Sequence, residues 1–285
     1  MKIAVLSDIH GNLPALQVVL EHLDAWQPDE VIVNGDIVNR GPRSRDCWQM
    51  IEARFAQAGW RGTIGNHEEY VLAWEEDRQL SDVEAELYQS SYWTYQQLAG
   101  AVAGLKKMRA LVTLSGPDGR EVRATHASMR GTRDGIYLST AAAEMRHQIA
   151  PAPPLFITSH THHFFTLQLD HTLIVNSGSV GCPLDGDTRT GYAQLEWRAG
   201  GWQTHLVRLP YAREQVDGEF RTSGYLTEGG VVATLLYAEW RQAQPHAGWW
   251  ARQYQRQVLA GEISPAESVR RYLRHAGLEA VQTWR

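Results

Sequence analysis

The amino-acid sequence predicts an α/β fold, a four-layer αββα sandwich of two mixed sheets flanked by helices, with a helical C-terminal extension. Three observations lead to this prediction. The first third of the chain alternates short apolar runs with segments of helical periodicity, a pattern typical of a parallel α/β core. Short alternating runs lie close together between residues 155 and 197, which indicates a second, more antiparallel sheet. Beyond about Tyr211 the strand patterns stop and helical patterns continue.

The first third supplies three expected strands. Lys2–Leu6 (KIAVL) is apolar throughout, as a central parallel strand with both faces covered would be. Asn12 can then cap a helix that has Pro14 in its first turn. Further strands are expected at Val31–Val33 and Gly62–Ile64, with a helix between them.

The middle of the chain is expected to hold a helical insert and then the second sheet. Residues 68 to about 109 have helical periodicity. The turn Gly116–Gly119 predicts a hairpin between strands at Leu111–Leu114 and Glu121–Thr125, and a helix is expected near Ala141–Ile149. The remaining expected strands are Leu155–Thr158, Phe164–Leu169, Thr172–Val175 and Tyr192–Trp197.

These patterns divide the chain into two parts. We expect a core at residues 1–210, with the helical insert at about 68–109, and a helical extension at residues 211–285 packed on or beside the core. The extension could cover the site, protect a sheet edge or join two copies of the chain through Trp240, Trp249 and Trp250.

Composition limits the classes of function. Apolar residues make up 43% and charged residues 21% of the chain, as in a globular rather than a disordered protein. The net charge of −5 provides no general attraction to duplex nucleic acid or to an anionic membrane. The first apolar stretch is broken by Asp8 and His10, so we expect neither a signal peptide nor a membrane span. The two cysteines, Cys47 and Cys182, imply no disulfide framework, and a cytoplasmic location is expected.

Polar side chains follow five of the expected strands, at the point where each strand ends. They are Asp8 and His10, Asp36, Asn66 with His67, His126, and His160 with His162. Ligands of an open α/β sheet bind beyond the carboxyl ends of its strands, so side chains distant in sequence can meet there. Any one of these residues could be a turn, cap or structural residue. The whole set is difficult to explain as separate caps, and we interpret it as one site.

The donor atoms of this set indicate a metal centre. Mixed imidazole, carboxylate and amide donors suit first-row divalent metals such as Zn, Mn, Fe or Ni, whereas oxygen donors alone would favour Mg or Ca. The seven ligands are too many for one ion that must keep a position open for substrate, and they suit two ions bridged by one carboxylate. A hydroxide bridging such a pair would have its pKa lowered from about 15.7 towards about 7, which makes it a nucleophile for in-line displacement at neutral pH.

The same residues form motifs that resemble those of the calcineurin-like metallophosphoesterase superfamily. In order, they are Asp8-x-His10, Gly35-Asp36 with Arg40-Gly41, Gly65-Asn66-His67-Glu68, His126, and Ser159-His160-Thr161-His162. The resemblance covers about residues 1–182. The stretches SDIHGNLPAL and NSGSVG further resemble the small bacterial and archaeal phosphodiesterases of that superfamily. A metal-dependent phosphoesterase acting on phosphomonoesters or phosphodiesters is therefore implied.

The resemblance also implies a role for each residue. One ion would be held by Asp8, His10 and His162, the other by Asn66, His126 and His160, and Asp36 would bridge them. His67 would lie beside the scissile phosphate, neutralise charge and protonate the leaving oxygen. Two divalent transition-metal ions per chain are implied, manganese ahead of iron, zinc, nickel or cobalt.

Three positions depart from the family pattern. Ser159 replaces the first glycine of the usual Gly-His-x-His motif. Arg40 resembles an arginine of the serine/threonine protein phosphatases and dinucleoside tetraphosphate hydrolases that grips phosphate, although it could instead pair with Asp46. Asn39 stands where the protein phosphatases have an aspartate that orients the catalytic histidine. An asparagine can accept a hydrogen bond but cannot stabilise an imidazolium by charge.

The substrate is left open by these observations. Arg40 would also suit a dinucleoside polyphosphate or a phosphoprotein, and a non-catalytic scaffold on the same fold is the alternative outside the enzymes. Retention of all the ligands together with His67 argues against a scaffold. We further expect that Asn39, Arg130 and Arg133 could contact substrate, and that the C-terminal helices could join copies into a homo-oligomer. Glu68 could be either a favourable first-turn charge or a functional group.

Overall fold

The computed structural model describes residues 1–76 and 79–279. Its strands are Lys2–Leu6 (β1), Glu30–Asn34 (β2), Arg61–Thr63 (β3), Leu111–Ser115 (β4), Glu121–Thr125 (β5), Leu155–Thr158 (β6), Phe164–Leu169 (β7), Thr172–Ser177 (β8), Thr190–Arg198 (β9) and Gly201–Leu209 (β10). Its α-helices are Leu13–Trp26 (α1), Ser44–Ala58 (α2), Asn66–Leu72 (α3), Asp82–Leu98 (α4), Val102–Leu105 (α5), Ala142–Gln148 (α6), Arg213–Thr222 (α7), Tyr225–Glu228 (α8), Gly230–Gln242 (α9), His246–Trp250 (α10), Arg256–Leu259 (α11) and Pro265–His275 (α12).

The strands form two mixed sheets of five strands each. The first has the order β10-β9-β1-β2-β3, with β1, β2 and β3 parallel and antiparallel pairings of β9 with β1 and with β10. The second has the order β4-β5-β6-β8-β7, with β5, β6 and β8 parallel and antiparallel strands β4 and β7 at its edges. The parallel strands of each sheet therefore end along a common edge.

The sheets pack face to face because their central strands are apolar on both sides. Successive side chains of a strand point to opposite faces. Ile3 and Val5 of β1 lie in a buried cluster with residues of the second sheet, such as Leu155 of β6. Ala4 and Leu6 lie instead in the cluster under α1 and α2. The strand is therefore covered on both faces, as its apolar sequence predicts.

Helices cover the outer face of each sheet. Asn12 caps α1 by accepting a hydrogen bond from the backbone N–H of Ala15 (3.2 Å), and the helix buries Leu16 and Leu23. On the other side, Met145 of α6 shares a buried cluster with residues of β6, β7 and β8. The order helix, sheet, sheet, helix confirms the predicted four-layer sandwich.

The helical insert and the C-terminal helices pack on each other. Helix α4 packs against α9, and Trp93 of α4 lies in a buried cluster formed mainly by α7 to α12. Trp240 and Trp250 are each 5% exposed within that cluster, and Trp249 packs against it partly exposed. The expected contact between copies of the chain stays a prediction. The division into core and extension stays a prediction, and residues 280–285 of the extension lie outside the described part of the chain.

Most expected strands coincide with observed ones, and the predicted hairpin joins β4 to β5. No strand is predicted at Gly201–Leu209, which forms β10. This strand lies at the sheet edge and buries only Val207, so its residues lack the apolar alternation of a half-buried strand. Within the described residues, every helix is too short or too polar to cross a bilayer.

Candidate metal centre

The polar residues that follow the parallel strands converge at one edge of the two sheets. The loops after β1, β2, β5 and β6, together with the first residue of α3 after β3, carry the seven predicted ligands, which are Asp8, His10, Asp36, Asn66, His126, His160 and His162. All of them are buried except His160, which is partly exposed. The structure brings all seven together.

One group of ligand atoms surrounds the end of β1. The Oδ1 atom of Asp8 lies 3.1 Å from Nε2 of His162, and Nε2 of His10 lies 3.2 Å from the same nitrogen. Oδ2 of Asp36 is 3.7 Å from Nε2 of His10. The ligand atoms of these four residues lie within 4.8 Å of one another, a spacing that could hold a metal ion.

A second group lies on the other side of Asp36. Oδ2 of Asp36 is 3.3 Å from Nε2 of His126, and that nitrogen is 3.1 Å from Oδ1 of Asn66. Nδ1 of His160 lies 2.9 Å from the same Asn66 oxygen. Asp36 belongs to both groups, and its Oδ2 is the atom that faces both.

The hydrogen bonding of the two carboxylates fits divalent metal binding. Oδ2 of Asp8 accepts a hydrogen bond from the Ser7 hydroxyl (2.6 Å), and Oδ1 of Asp36 accepts one from the His67 backbone N–H (2.9 Å). The other oxygen of each carboxylate is buried and accepts no hydrogen bond from the described residues. A buried charged oxygen is costly unless it is paired or coordinates a metal. The two unbonded oxygens are the ones that face the imidazole nitrogens.

Backbone carbonyls orient two of the imidazoles. Nδ1 of His126 lies 2.8 Å from the Asn34 carbonyl oxygen, and Nδ1 of His162 contacts the Cys182 carbonyl oxygen. These contacts place a proton on Nδ1 and turn Nε2 towards the cluster, where it can bind a metal that displaces its proton, the usual arrangement around metal-ligating histidines.

The charges of the cluster are strongly coupled. Burial alone would raise the pKa of Asp36, but His126 and His67 hold it well below its ordinary value. Burial alone would lower the pKa of His126, but the Asp36 carboxylate raises it to about 10. The Asp36 carboxylate is therefore ionised at neutral pH, and without a metal its cationic partner is the His126 imidazolium.

The backbone of the site adopts conformations that most residues avoid. Of the twelve non-glycine residues with positive φ in the described chain, seven lie in the site loops, with φ between 49° and 68°. They are Asp8, His10, Asp36, Asn39, Arg40, His160 and His162. Each such residue costs roughly 1 kcal/mol or more, and this kind of strain concentrates at functional sites. The surrounding contacts must therefore hold these loops in shape.

Glu68 is one such contact. Its buried carboxylate accepts hydrogen bonds from the backbone N–H groups of Asp36 (2.7 Å), Ile37 (2.7 Å), Val38 (3.1 Å) and Gly65 (2.9 Å). Burial and the nearby Asp36 charge raise the pKa of Glu68 to about 7. The side chain thus anchors the Asp36 loop, a role that its position in the first turn of α3 does not reveal in the sequence.

Asn39 and His67 form a pair beside the ligands. Nδ2 of Asn39 donates to Nδ1 of His67 (2.9 Å), because Oδ1 of Asn39 is occupied by the backbone N–H of Arg40 (2.8 Å). Asn39 therefore donates to His67, although an asparagine side chain can also accept a hydrogen bond. This contact leaves the proton of the neutral imidazole on Nε2. The ring of His67 packs edge-on to that of His10, with centroids 4.8 Å apart.

The three arginines considered from the sequence have different surroundings. Arg40 forms an ion pair with Glu239 of α9. Asp46, the alternative partner considered for Arg40, forms an ion pair with Arg43 (2.7 Å). Arg133 stacks on Tyr70, 4.8 Å from the ring centroid, and Tyr70 packs edge-on to His67.

Arg130 makes contacts of a different kind. It forms ion pairs with Asp134 (2.8 Å) and Glu144 (2.6 Å), and none of its hydrogen bonds to described residues involves a predicted ligand. The structure therefore offers Arg130 a structural partner rather than a place at the cluster.

The small-residue loop after β8 closes the site from the other sheet. The backbone N–H groups of Val180 and Gly181 donate to the carbonyl oxygens of Ser7 and Asp8 (2.9 Å each). A Cβ atom at Gly181 would lie 1.8 Å from the Ile9 carbonyl oxygen, so only glycine allows this approach.

Comparisons with known proteins agree with this geometry. A sequence model of the family described as calcineurin-like phosphoesterase matches residues 1–164, more than half of the 285 residues. The uncharacterized protein MJ0912 of Methanocaldococcus jannaschii is 24% identical over 224 residues, which cover 73% of this chain and 87% of that protein.

Two solved structures are similar to the whole arrangement. A metallophosphoesterase from Sphaerobacter thermophilus has 28% sequence identity and a TM-score of 0.61, over 80% of this chain and 100% of that one. The hypothetical protein PH1004 from Pyrococcus horikoshii OT3 has a TM-score of 0.69 at 15% identity, over 80% of this chain and 95% of that one, a likeness of fold.

The segment matched by the family model contains all seven predicted ligands together with His67. Its fold and its buried Asp/His cluster are those expected from the motifs of the sequence. This chain belongs to the calcineurin-like phosphoesterase family.

Proposed function

We propose that this chain is a dinuclear metal-dependent phosphoesterase that hydrolyses phosphomonoesters or phosphodiesters. One ion would be held by Asp8, His10 and His162, the other by Asn66, His126 and His160, with Asp36 shared. The observation that carries the proposal is that Oδ2 of Asp36, buried and unbonded, faces both ligand groups. Mixed nitrogen and oxygen donors suit manganese, iron, zinc, nickel or cobalt, and manganese is our first choice.

When bound, two such ions would lower the pKa of water and stabilise the charge that develops on phosphoryl oxygens during in-line displacement. The remaining contribution would come from the side chains of the protein. Buried carboxylates and oriented imidazoles hold a fixed arrangement, so little reorganisation is needed at the moment of reaction.

His67 is our candidate for assisting the leaving group. Burial is the main cause that lowers its pKa, to about 3, so the imidazole is neutral at neutral pH before substrate binds. The contact from Asn39 leaves the proton on Nε2. As a neutral imidazole, His67 would donate a hydrogen bond from Nε2 to the leaving oxygen. The negative charge of bound phosphate would raise its pKa, and the imidazolium formed in this way would give a proton to that oxygen and return to the neutral ring.

Arg40 is our candidate for contacting the non-bridging oxygens of the phosphate. Its guanidinium lies close enough for its charge to add to the effect of burial, the main cause of the lowered pKa values of His10 and His67. A planar arginine suits phosphate because it donates several hydrogen bonds in a fixed fork.

The substrate class is tested with manganese-loaded protein and four phosphate compounds. These are a phosphomonoester, a phosphodiester, a dinucleoside polyphosphate and a phosphopeptide. Preference for the dinucleoside polyphosphate would favour a dinucleoside polyphosphate hydrolase, and preference for the phosphopeptide would favour a protein phosphatase. A folded protein that binds no metal at micromolar manganese would favour a non-catalytic scaffold.

Two substitutions test the residue roles. His67→Ala should leave the metal content unchanged and reduce turnover by about 10²-fold or more, the range for loss of a general acid. Asp36→Asn should lower the metal content below two ions per chain, measured by atomic spectroscopy. The exposed His171→Ala serves as the matched control. Unchanged turnover of His67→Ala would remove that role, and two ions in Asp36→Asn would remove the bridge.

A further inference from the structure

A buried charge of the C-terminal extension contacts Arg40, in the loop that carries Asp36. Glu239 of α9 forms an ion pair with Arg40 through its Oε2 atom. The glutamate side chain is 2% exposed and the arginine side chain 13%, so solvent hardly reaches the pair. The two residues are 199 positions apart, and Glu239 lies outside the segment that the family model matches.

Glu239 is itself held in place. Its second carboxylate oxygen, Oε1, accepts a hydrogen bond from the backbone N–H of Ala247 (2.8 Å) in the first turn of α10. Helix α9 buries Leu235, Leu236 and Trp240 in the cluster of the extension. Both oxygens of Glu239 are therefore engaged, and the helix that carries it is packed on neighbouring helices.

Arg40 faces the metal centre on its other side. A cavity of about 10 Å³, room for roughly one water molecule, lies beside it. It is lined by His10, Arg40 and Cys182 and, from the extension, by Phe220, Leu236 and Trp240. The Nε atom of Arg40 is buried and donates no hydrogen bond to a described residue. The guanidinium thus keeps an unused donor beside His10.

We infer that Glu239 is a positioning residue, which holds the guanidinium of Arg40 in the orientation that contacts the phosphate of the substrate. The inference rests on the proposed function. It makes the extension part of the active site rather than an appendage. Without Glu239 the long arginine side chain would sample several rotamers, and the fraction in the binding orientation would fall.

Two other readings of the same contact predict different results. If the ion pair only docks the extension, Glu239 should behave like Glu219 of α7, which pairs with Arg43 (3.0 Å) in the same loop region. If Glu239 instead competes with phosphate for Arg40, its removal should increase activity. Both readings are separated from positioning by kinetics.

The experiment measures kcat and KM for p-nitrophenyl phosphate and the inhibition constant of inorganic phosphate, using the full manganese-loaded chain. We expect Glu239→Ala to lower kcat/KM about tenfold and to raise the inhibition constant about tenfold. Glu239→Gln, which keeps the shape, should have a smaller effect in the same direction. Glu219→Gln should stay within twofold of the unsubstituted protein in both quantities.

A double-mutant cycle isolates the effect through Arg40. In an Arg40→Ala background, Glu239→Ala should cause no further loss, because the group that it positions is absent. An equal loss in both backgrounds, an equal loss in Glu219→Gln, or a gain of activity would each overturn the inference. If Glu239→Ala fails to fold, as judged by circular dichroism, Glu239→Gln carries the test.

Failure of the proposed function would look different. A wild-type protein that hydrolyses none of the four phosphate compounds would refute that function. The affinity of the manganese-loaded protein for inorganic phosphate, measured by calorimetry, would still test Glu239. Equal phosphate affinity of the wild type and both Glu239 variants would overturn the positioning role alone.

Discussion

Gly65→Ala is a small change placed against the carboxylate that both ligand groups share. Gly65 precedes α3 with φ −105° and ψ 173°, values that alanine adopts without strain. The effect of the substitution therefore comes from the added methyl group. That Cβ atom would lie 2.1 Å from Oδ1 of Asp36 and 2.6 Å from the Asp36 backbone nitrogen.

The required displacement can be worked out from these distances. Ordinary contacts of a Cβ atom begin at 3.4 Å, so Oδ1 would have to retreat by about 1.3 Å and the backbone nitrogen by about 0.8 Å. The nitrogen cannot move freely, because it donates to Glu68 at 2.7 Å. Overpacking of this kind costs about 1–3 kcal/mol of stability. A misplacement of about 1 Å at a catalytic group can cost about 10²-fold in rate.

The assay combines three measurements on the same preparation. We expect Gly65→Ala to bind fewer than two ions per chain, to lose about 10²-fold in turnover and to unfold at lower urea concentration. Gly218→Ala is the matched control, since a Cβ at Gly218 of α7 meets no atom within 4 Å. That control should be unchanged or slightly more stable, because alanine favours a helix interior. Normal metal content and turnover in Gly65→Ala would refute the packing argument.

Removal of metal by a chelator should lower the midpoint of thermal unfolding, because the unbonded oxygens of Asp8 and Asp36 lose their cations. At a metal concentration of 100 times the dissociation constant, each site contributes about 2.7 kcal/mol, and an unchanged midpoint after chelation would contradict the metal assignment. A second prediction concerns His246 of α10, whose pKa is lowered by burial from 6.5. As the pH falls through 6.5, the unfolded chain takes up a proton that the folded chain does not, so the unfolding free energy should fall. Urea unfolding at pH 8 and pH 5.5 should show a smaller fall in His246→Gln, and equal falls in both proteins would exclude this cause.

Much of the metal centre could be predicted from local sequence. A buried parallel strand is a short apolar run, and the polar residues that follow it are visible as such in Asp8, Asp36 and His126. The topology then brings these residues together, because parallel strands end at a common edge of the sheet. The residues that hold these ligands were harder to predict. Glu68 is recognisable only as a charge in a first turn, whereas its function depends on four backbone N–H groups in two loops.

Contacts between distant segments lie beyond local patterns. Glu239 is the single acidic residue of α9, a largely apolar helix, and only tertiary packing brings it to Arg40. The direction of the hydrogen bond from Asn39 to His67 likewise depends on a third group, the backbone N–H of Arg40. Strand β10 was missed because an edge strand with polar residues on both faces carries little periodic signal.

The place of β1 in its sheet has a consequence for synthesis of the chain on the ribosome. This strand pairs with β2 on one side and, on the other, with β9, which begins only at Thr190. Ribosomes add about 5–20 residues per second, so β9 is synthesised roughly ten to forty seconds after β1. During this interval the strand that precedes the first two ligands has an open edge able to pair with other nascent chains. A chain ending at residue 189 would contain all seven proposed ligands and still be expected to aggregate.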